Sequence, residues 1–314
     1  MNRKKTRIPW VTHPDYDIPL PSGHRFMSTK FSDLFNEMKS STVRHGAEIF
    51  KPDKADVDQL SIAHDRDYIS RVKTGSLTDK ELRRLGLSWS PELVNRSFLA
   101  VNGTLLAARL ALQKGVACHL AGGTHHAHYD FGSGFCVFND LAYTSLTLLK
   151  NKELEKVLIF DCDVHQGDGT ARILSREKKV FTCSVHSEKN FPVRKAKSDL
   201  DINLDDGINW DTYKEHIFVA LSKCLTFFSP DLVLYVAGVD VHTNDKLGRL
   251  NIDDFGLIQR ELLILDFFKK EKIPVATVIG GGYSNNRIEL AKRHSNVLRA
   301  AHHVWINNNL DHLT

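Results

Sequence analysis

A dense group of charged side chains follows the apolar run at positions 157–160, in the segment VLIFDCDVHQGDGT. In an extended backbone, residues two apart share a face, so Asp161, Asp163 and His165 point the same way. Buried carboxylates need a partner, and a metal held by Asp163, His165 and an acid from a neighbouring strand end, Asp240, would supply one. Three protein ligands with one open position form the arrangement in which zinc activates water.

Two alternatives stay open for these charged residues. Ferrous iron and manganese accept the same oxygen and nitrogen ligands as zinc, so the residue types define the site better than the metal. The residues could also be helix N-caps and surface charges with no metal between them. The apolar strand before them and their tight clustering favour the metal site.

Two adjacent histidines, His125 and His126, stand in the segment GGTHHAH. Asp161 and Asp168 are left over from the metal site, and each could accept the Nδ1–H of one imidazole, which fixes the tautomer and raises the basicity of the ring. One histidine can then act as a general base on water while the other stabilises charge. A surface loop is the alternative for a bare histidine pair. No acid is left for His128, and we expect it to be structural.

The segment IGGGYSN ends the last apolar run, and its glycine spacing is not that of a phosphate-binding loop. Three glycines let the backbone approach a site closely and present Tyr283, whose hydroxyl could stabilise an oxyanion developing on a carbonyl group. Phe135 and Phe191 lie on predicted loops, in GSGFCVFND and KNFP. Such a pair is typical of a narrow apolar channel for an extended alkyl chain, although each ring could instead pack against its own loop.

Short apolar strands alternate with helical segments, and each chemistry-bearing segment comes directly after a strand. Continuous apolar strands joined by helices are typical of a parallel sheet covered on both faces, with its ligand site at the carboxyl ends of the strands. The sequence therefore predicts an α/β fold, a doubly wound, mainly parallel sheet flanked by helices in a single domain, 1–314. The predicted strands are 116–120, 157–160, 180–185, 232–236 and 275–279, and the predicted helices are 31–37, 91–114, 140–150, 211–228 and 254–270.

The composition of the chain excludes several classes of protein. The 314 residues carry a formal net charge of +4 with dispersed basic residues, which argues against nucleic-acid binding, and the basic run at 2–7 is typical of a solvated tail. No apolar run approaches the ~20 residues of a membrane span, and residues 1–30 contain no apolar run typical of a secretory signal, so we expect none. The five cysteines form no CxxC pair, so we expect a protein of the reducing cytoplasm without a disulfide framework.

The segments GGTHHAH, GSGFCVFND, DCDVHQGDGT, GVDVHTNDKLGRL and GGGY, in this order, resemble those of the zinc-dependent histone deacetylase family, which has the arginase–deacetylase fold. The resemblance covers nearly the whole chain, and the N-terminal HPDYDIPLPSGHRF looks most like the class IV branch and its bacterial relatives. It implies the following site: Asp163, His165 and Asp240 as zinc ligands; His125, His126, Asp161, Asp168 and Tyr283 as catalytic residues, with His126 as the general base; and Gly134, Phe135 and Phe191 as the tunnel lining. It also implies a structural K⁺ beside the zinc, held by Asp161, Asp163, His165 and Ser184, partly through backbone carbonyls.

The resemblance implies a zinc-dependent amidohydrolase that removes acetyl or longer fatty acyl groups from lysine side chains of proteins. Deacylation of small acylated amines, such as acetylpolyamines, is the alternative. His242 stands where the arginase side of the fold has another acid, which argues against a two-metal ureohydrolase. We find no match for the acidic loop residue with which some family members hold the substrate backbone. A metal-stabilised binding protein without turnover would lack the water-activating residues, all of which are present here.

Overall fold

The computed structural model describes residues 7–306, so most of the basic run at 2–7 lies outside the described residues. Eight strands form one sheet: β1 Ile8–Val11, β2 Ala47–Phe50, β3 Val116–His119, β4 Val157–Asp161, β5 Val180–Ser187, β6 Leu200–Leu204, β7 Leu232–Val236 and β8 Val275–Val278. Their order across the sheet is β2-β1-β3-β8-β7-β4-β5-β6. Each neighbouring pair is parallel, so the carboxyl ends of all these strands meet at one edge.

Helices flank the sheet. They are α1 Lys30–Ser40, α2 Val57–Leu60, α3 Arg66–Thr74, α4 Asp79–Leu85, α5 Pro91–Lys114, α6 Asp140–Lys150, α7 Asp168–Leu174, α8 Trp210–Phe227, α9 Asp254–Lys270 and α10 Arg287–Ile306. Every residue of β3, β4, β7 and β8 is buried. Successive strand residues point to opposite faces, so both faces of the central sheet are covered, and the predicted fold class is confirmed.

The best predicted helix is α5, because its ends carry clear local signals. The side chain of Ser90 accepts a hydrogen bond from the backbone N–H of Leu93 at 3.1 Å, and Pro91 occupies the first turn. Gly115 ends the helix with a φ of 87°, a left-handed conformation that glycine adopts without strain. Fourteen of its residues are buried, so this helix anchors the core beside β1, β3 and β8.

Three strands and several helices were not predicted. β1 is apolar and buried but only four residues long, with a proline at its second position, whereas β2 and β6 mix polar with apolar residues and lie at the two outer edges of the sheet. Helix α10 mixes apolar with charged and histidine residues, and Arg293, His294 and His302 on it are buried. Because these polar residues occupy buried positions, the apolar residues of α10 alone do not show the periodicity of an amphipathic helix. Among residues 7–306, we find no helix with the length and apolarity to cross a membrane.

A buried neutral histidine, His64, makes folding stability depend on pH. Its Nδ1 lies 2.9 Å from the carbonyl of His128, and its Nε2 accepts a hydrogen bond from the backbone N–H of Asn139 at 2.8 Å. Burial lowers the pKa of His64 from 6.5 to about 4. Between these two pKa values, His64 is protonated in the unfolded chain and neutral in the folded chain. The contribution of His64 to the free energy of unfolding is therefore fully present above pH 6.5 and is lost as the pH falls towards 4.

We expect the free energy of unfolding to fall by about 3 kcal/mol between pH 7 and pH 4 through His64 alone. Urea unfolding of the metal-free protein across this range would measure it. The His64→Gln variant should show a correspondingly weaker pH dependence, because glutamine does not titrate. An identical pH dependence in variant and wild type would contradict the assignment.

Candidate active site

The three predicted metal ligands converge at the carboxyl ends of β4 and β7. Their ligand atoms lie within 4.8 Å of one another, and all three side chains are buried. Asp163 and His165 follow β4, and Asp240 follows the neighbouring β7. His165 Nδ1 lies 3.1 Å from Asp163 Oδ1 and 3.1 Å from Asp240 Oδ2. Two carboxylates and one imidazole around a single point form a donor set that fits zinc.

The electrostatics of this triad are those of a site built around a cation. Burial and the charge of Asp163 raise the pKa of Asp240 to about 6. Burial alone would lower the pKa of His165, but its bonds to Asp163 and Asp240 raise it to about 10. The two acids therefore favour positive charge between them, and a divalent ion supplies more of it than an imidazolium does.

Backbone groups hold the two carboxylates in place. The N–H of Val164 donates to Asp240 Oδ1 at 2.9 Å, and the N–H of Gly281 donates to Asp163 Oδ2 at 2.6 Å. A Cβ atom on Gly281 would lie 2.0 Å from Asp240 Oδ2. Only glycine fits there. The backbone of the GGG segment therefore approaches the site closely, as predicted.

Each histidine of the pair has its own carboxylate. His125 Nδ1 lies 2.7 Å from Asp161 Oδ2, and His126 Nδ1 lies 2.8 Å from Asp168 Oδ1. The two rings are 4.0 Å apart between centroids. In each ring, Nε2 is the atom that faces away from the carboxylate bound at Nδ1. In a neutral ring this Nε2 carries no proton, which is the tautomer that a general base requires.

The two histidines differ in charge. Burial and the charge of His125 lower the pKa of His126 to about 4. Burial has the same effect on His125, but the charges of Asp161 and Asp163 raise the pKa of His125 to about 9. His126 lines the open channel described below and His125 does not, so His126 is the one within reach of a substrate.

The expectation that His128 lacks an acidic partner is wrong. Its Nε2 lies 3.1 Å from Asp168 Oδ2, and its ring stacks on Phe131 with the centroids 4.3 Å apart. One carboxylate therefore holds two imidazoles, and the pKa of Asp168 is lowered well below its usual range by these two bonds, against the effect of burial. The prediction assigned one histidine to each acid, but a carboxylate can accept hydrogen bonds from two donors at once, and the sequence does not show which acids do so.

A channel of about 580 Å³ leads from the surface to the site. Gly134, Phe135, Phe191 and Tyr283 are among its lining residues, with His126 and His165 at its inner end. The ring of Phe191 meets that of His126 edge-on at 4.8 Å, and 39% of Phe191 is exposed. Gly134 has a φ of 53°, and a Cβ atom there would lie 2.6 Å from His126 Cδ2. The predicted tunnel residues thus lie together.

Tyr283 is held through its backbone by a residue that the sequence reasoning did not single out. Asp245 Oδ2 accepts a hydrogen bond from the N–H of Tyr283 at 2.6 Å, and its Oδ1 accepts from Leu247 and Gly248 at 2.8 and 3.0 Å. Burial and the charge of Asp240 raise the pKa of Asp245 to about 7. The only sequence signal was its presence in the motif GVDVHTNDKLGRL.

A small inner cavity of about 30 Å³ lies beside Asp163 and the histidine pair. Two buried cationic residues line it, Lys30 and Arg96, which are 4% and 3% exposed. Lys30 Nζ donates to the carbonyl of Gly280 at 2.7 Å, and burial lowers the pKa of Lys30 to about 8. No sequence signal indicated this lining, because both residues lie on helices and outside the motifs.

The predicted ligands of the monovalent cation occupy neighbouring strands. Asp161 and Ser184 are opposite each other in the register of β4 and β5. Asp161 Oδ1 accepts a hydrogen bond from the N–H of Asp163 at 3.0 Å, and Ser184 Oγ lies 2.9 Å from His186 Nδ1. The four residues are thus close along the sheet, and K⁺ binding stays a prediction.

Comparisons with known proteins identify the family. The histone deacetylase domain matches residues 24–299. An uncharacterized protein of Picosynechococcus sp. is 45% identical over 298 residues, which cover 95% of this chain and 99% of the relative. Histone deacetylase 2 of Arabidopsis thaliana is 28% identical over 290 residues, 88% of this chain and 75% of the relative. Acetoin utilization protein AcuC of Staphylococcus aureus is 30% identical over 284 residues, 82% of this chain and 70% of the relative.

These matches span the strands and loops that form the site, and they leave the class IV resemblance a prediction from the motifs. The site geometry and the match over residues 24–299 agree. The chain therefore belongs to the histone deacetylase family.

Proposed function

We propose that this protein is a zinc-dependent deacylase that hydrolyses the amide bond of acyl-lysine side chains in proteins, with residues 1–314 forming one catalytic domain. One observation carries the proposal. Two histidine–carboxylate pairs and Tyr283 surround the metal triad at the inner end of an aromatic channel. Such a channel suits a long, thin alkyl stem that brings a polar amide to buried chemistry. The relatives named histone deacetylase support a protein substrate.

Asp163, His165 and Asp240 would hold the zinc, which supplies a Lewis acid for the acyl carbonyl and lowers the pKa of a water molecule. The rings of Phe135 and Phe191 hold the lysine stem and exclude bulk water.

The catalytic residues then divide the proton transfers between them. His126 takes the proton of the attacking water at Nε2 while Asp168 holds its Nδ1–H. The hydroxyl of Tyr283 donates a hydrogen bond to the carbonyl oxygen as negative charge develops there. His125, held by Asp161, stabilises charge beside it. The proton on His126 passes to the leaving amine, which gives free lysine and a carboxylate.

Turnover of acetyl-lysine peptides by zinc-loaded protein tests this function. We expect cleavage that a hydroxamate inhibits and that metal removal abolishes, with recovery when zinc is restored. Acetylspermidine in the same assay tests the alternative, deacylation of small amines. Cleavage of acetylspermidine but of no peptide would overturn the assignment of a protein substrate, and cleavage of neither by zinc-loaded protein would overturn the deacylase assignment.

The inner cavity sets an expected limit on acyl length. An acetyl methyl group fits a volume of about 30 Å³, whereas an octanoyl chain would have to displace the buried Lys30 and Arg96. We expect kcat/KM for octanoyl-lysine to be at least about tenfold below that for acetyl-lysine in the same peptide. A peptide panel from acetyl to myristoyl measures the preference, and equal or faster cleavage of the long chains would contradict it.

The compartment and the second ion complete the proposal. All five cysteines are free and buried, which supports the reducing cytoplasm. K⁺ held by Asp161, Asp163, His165 and Ser184 would balance the carboxylates behind the zinc. Enzyme assays in which Na⁺ or choline replaces K⁺ would test this ion.

A further inference from the structure

Three arginines stand at the outer end of the channel. Arg25 precedes α1, and Arg83 and Arg84 lie in the last turn of α4. All three are exposed and line the channel. Within the part of the chain that the structure describes, no aspartate or glutamate lines it. The mouth of the channel is therefore positively charged.

These arginines are held close to the channel wall. The N–H of Phe135 donates to the carbonyl of Leu85 at 2.8 Å, which ties the end of α4 to the wall. His24 Nε2 lies 2.9 Å from the carbonyl of Gly86, which ties the loop of Arg25 to the same point. Arg84 lines the channel, and its guanidinium lies 4.3 Å from the ring centroid of Phe131, which is outside the lining. The positive charge is thus part of the channel entrance.

Their charge is not neutralised within the protein. Between residues 7 and 306, none of the three arginines forms an ion pair with a carboxylate. Helix α4 carries two acids, and neither pairs with these arginines: Asp79 forms no ion pair with them, and Glu81 pairs with Arg71, which also pairs with Asp67 at 2.8 Å. The charge at the mouth is free to act on a substrate.

The loop on the other side of the channel adds to this charge. Segment 188–197, EKNFPVRKAK, carries four basic residues and one acid around Phe191. Lys195 Nζ donates to the carbonyls of Asn190 and Pro192 at 2.6 and 2.8 Å, so its charge stays beside the ring. Charges of one sign around an opening attract ligands of the opposite sign and repel those of the same sign.

We propose that Arg25, Arg83 and Arg84 make this enzyme select acyl-lysine substrates that carry carboxylates beside the acylated side chain. The inference rests on the proposed function and deepens it. A peptide with acidic residues next to the acyl-lysine places carboxylates at the mouth while the lysine stem occupies the channel. A polyamine brings further positive charge to the same place and is disfavoured.

The test compares three acetyl-lysine peptides that differ only at the four positions next to the acetyl-lysine, two before it and two after it. All four are Asp in the first peptide, Asn in the second and Lys in the third. Each exposed charge pair contributes a factor of about 1.5 to 5. We expect kcat/KM for the Asp peptide to exceed that for the Lys peptide at least about tenfold at low salt, and the ratio to shrink as KCl screens the charges. Nε-acetyl-lysine with a free or an amidated α-carboxyl group tests whether a carboxylate on a small molecule suffices.

The variant R25Q/R83Q/R84Q should reduce the ratio to about twofold, through a higher KM for the Asp peptide. The matched control R172Q/R176Q/K178Q removes three exposed charges from the end of α7 and the turn that leads to β5, and should keep the ratio. Turnover of the Asn peptide shows that each variant is folded. Equal turnover of the three peptides by wild type, or a ratio unchanged in R25Q/R83Q/R84Q, overturns the inference alone. Failure to cleave any peptide with zinc bound overturns the proposed function and the inference with it.

Discussion

The Tyr283→Phe variant should lose about 10²- to 10³-fold in kcat on acetyl-lysine peptides, with little change in KM. The substitution removes one hydroxyl, the donor to an oxygen whose negative charge exists only in the transition state. Asp245 holds the backbone of residue 283 and is unaffected by the change. Steady-state kinetics on one acetyl-lysine peptide measures both parameters.

The control for this variant is Tyr129→Phe, which removes the hydroxyl of a tyrosine that is 51% exposed and lies outside the channel lining. It should retain wild-type kinetics. Zinc content by atomic absorption should be equal in both variants and wild type, because neither residue is a ligand. A Tyr283→Phe protein with full zinc and wild-type kcat would show that the carbonyl is polarised without this hydroxyl.

The His126→Gln variant should lose about 10²- to 10⁴-fold in kcat, the range expected for a general base. Glutamine can still donate to Asp168, but it accepts no proton at neutral pH. His126 is not a member of the metal triad, so we expect zinc content to be unchanged. Kinetics and zinc content on the same preparation separate loss of the base from loss of the metal.

His45→Gln is the matched control, since His45 is exposed and far from the channel lining. The corresponding His125→Gln variant distinguishes the two imidazoles. If His125→Gln abolished activity while His126→Gln retained most of it, the general base would be His125 and our division of roles would be reversed.

The central fold could be predicted because its strands are buried on both faces. Strands such as β4 and β7 are almost wholly apolar, so they stand out in the sequence without any periodicity. Edge strand β6 alternates, with Ile202 buried and Asn203 exposed, and a five-residue alternation is too short to recognise. The packed face of α10 includes Arg293 and His294, residue types that predict a surface position.

The site could be predicted where its residues lie near one another along a strand or at neighbouring strand ends. Asp163, His165 and Asp240 are of this kind. The sharing of Asp168 by His126 and His128 could not be predicted, since it depends on how the loop after β3 turns both imidazoles towards the same carboxylate. Lys30 and Arg96 approach the site from helices, and only the packing of the finished core brings them there.

The position of β8 has a consequence for how the protein is made. This strand is the last in the sequence, yet it lies between β3 and β7 in the middle of the sheet. A ribosome releases β3 and β7 first, and each then has an unpaired edge that can capture other strands. The segment that bears the histidine pair and the segment that bears Asp240 are joined only when β8 inserts between them. We therefore expect the site to stay incomplete, and the edges of β3 and β7 to stay open to other strands, until β8 has been synthesised and has inserted.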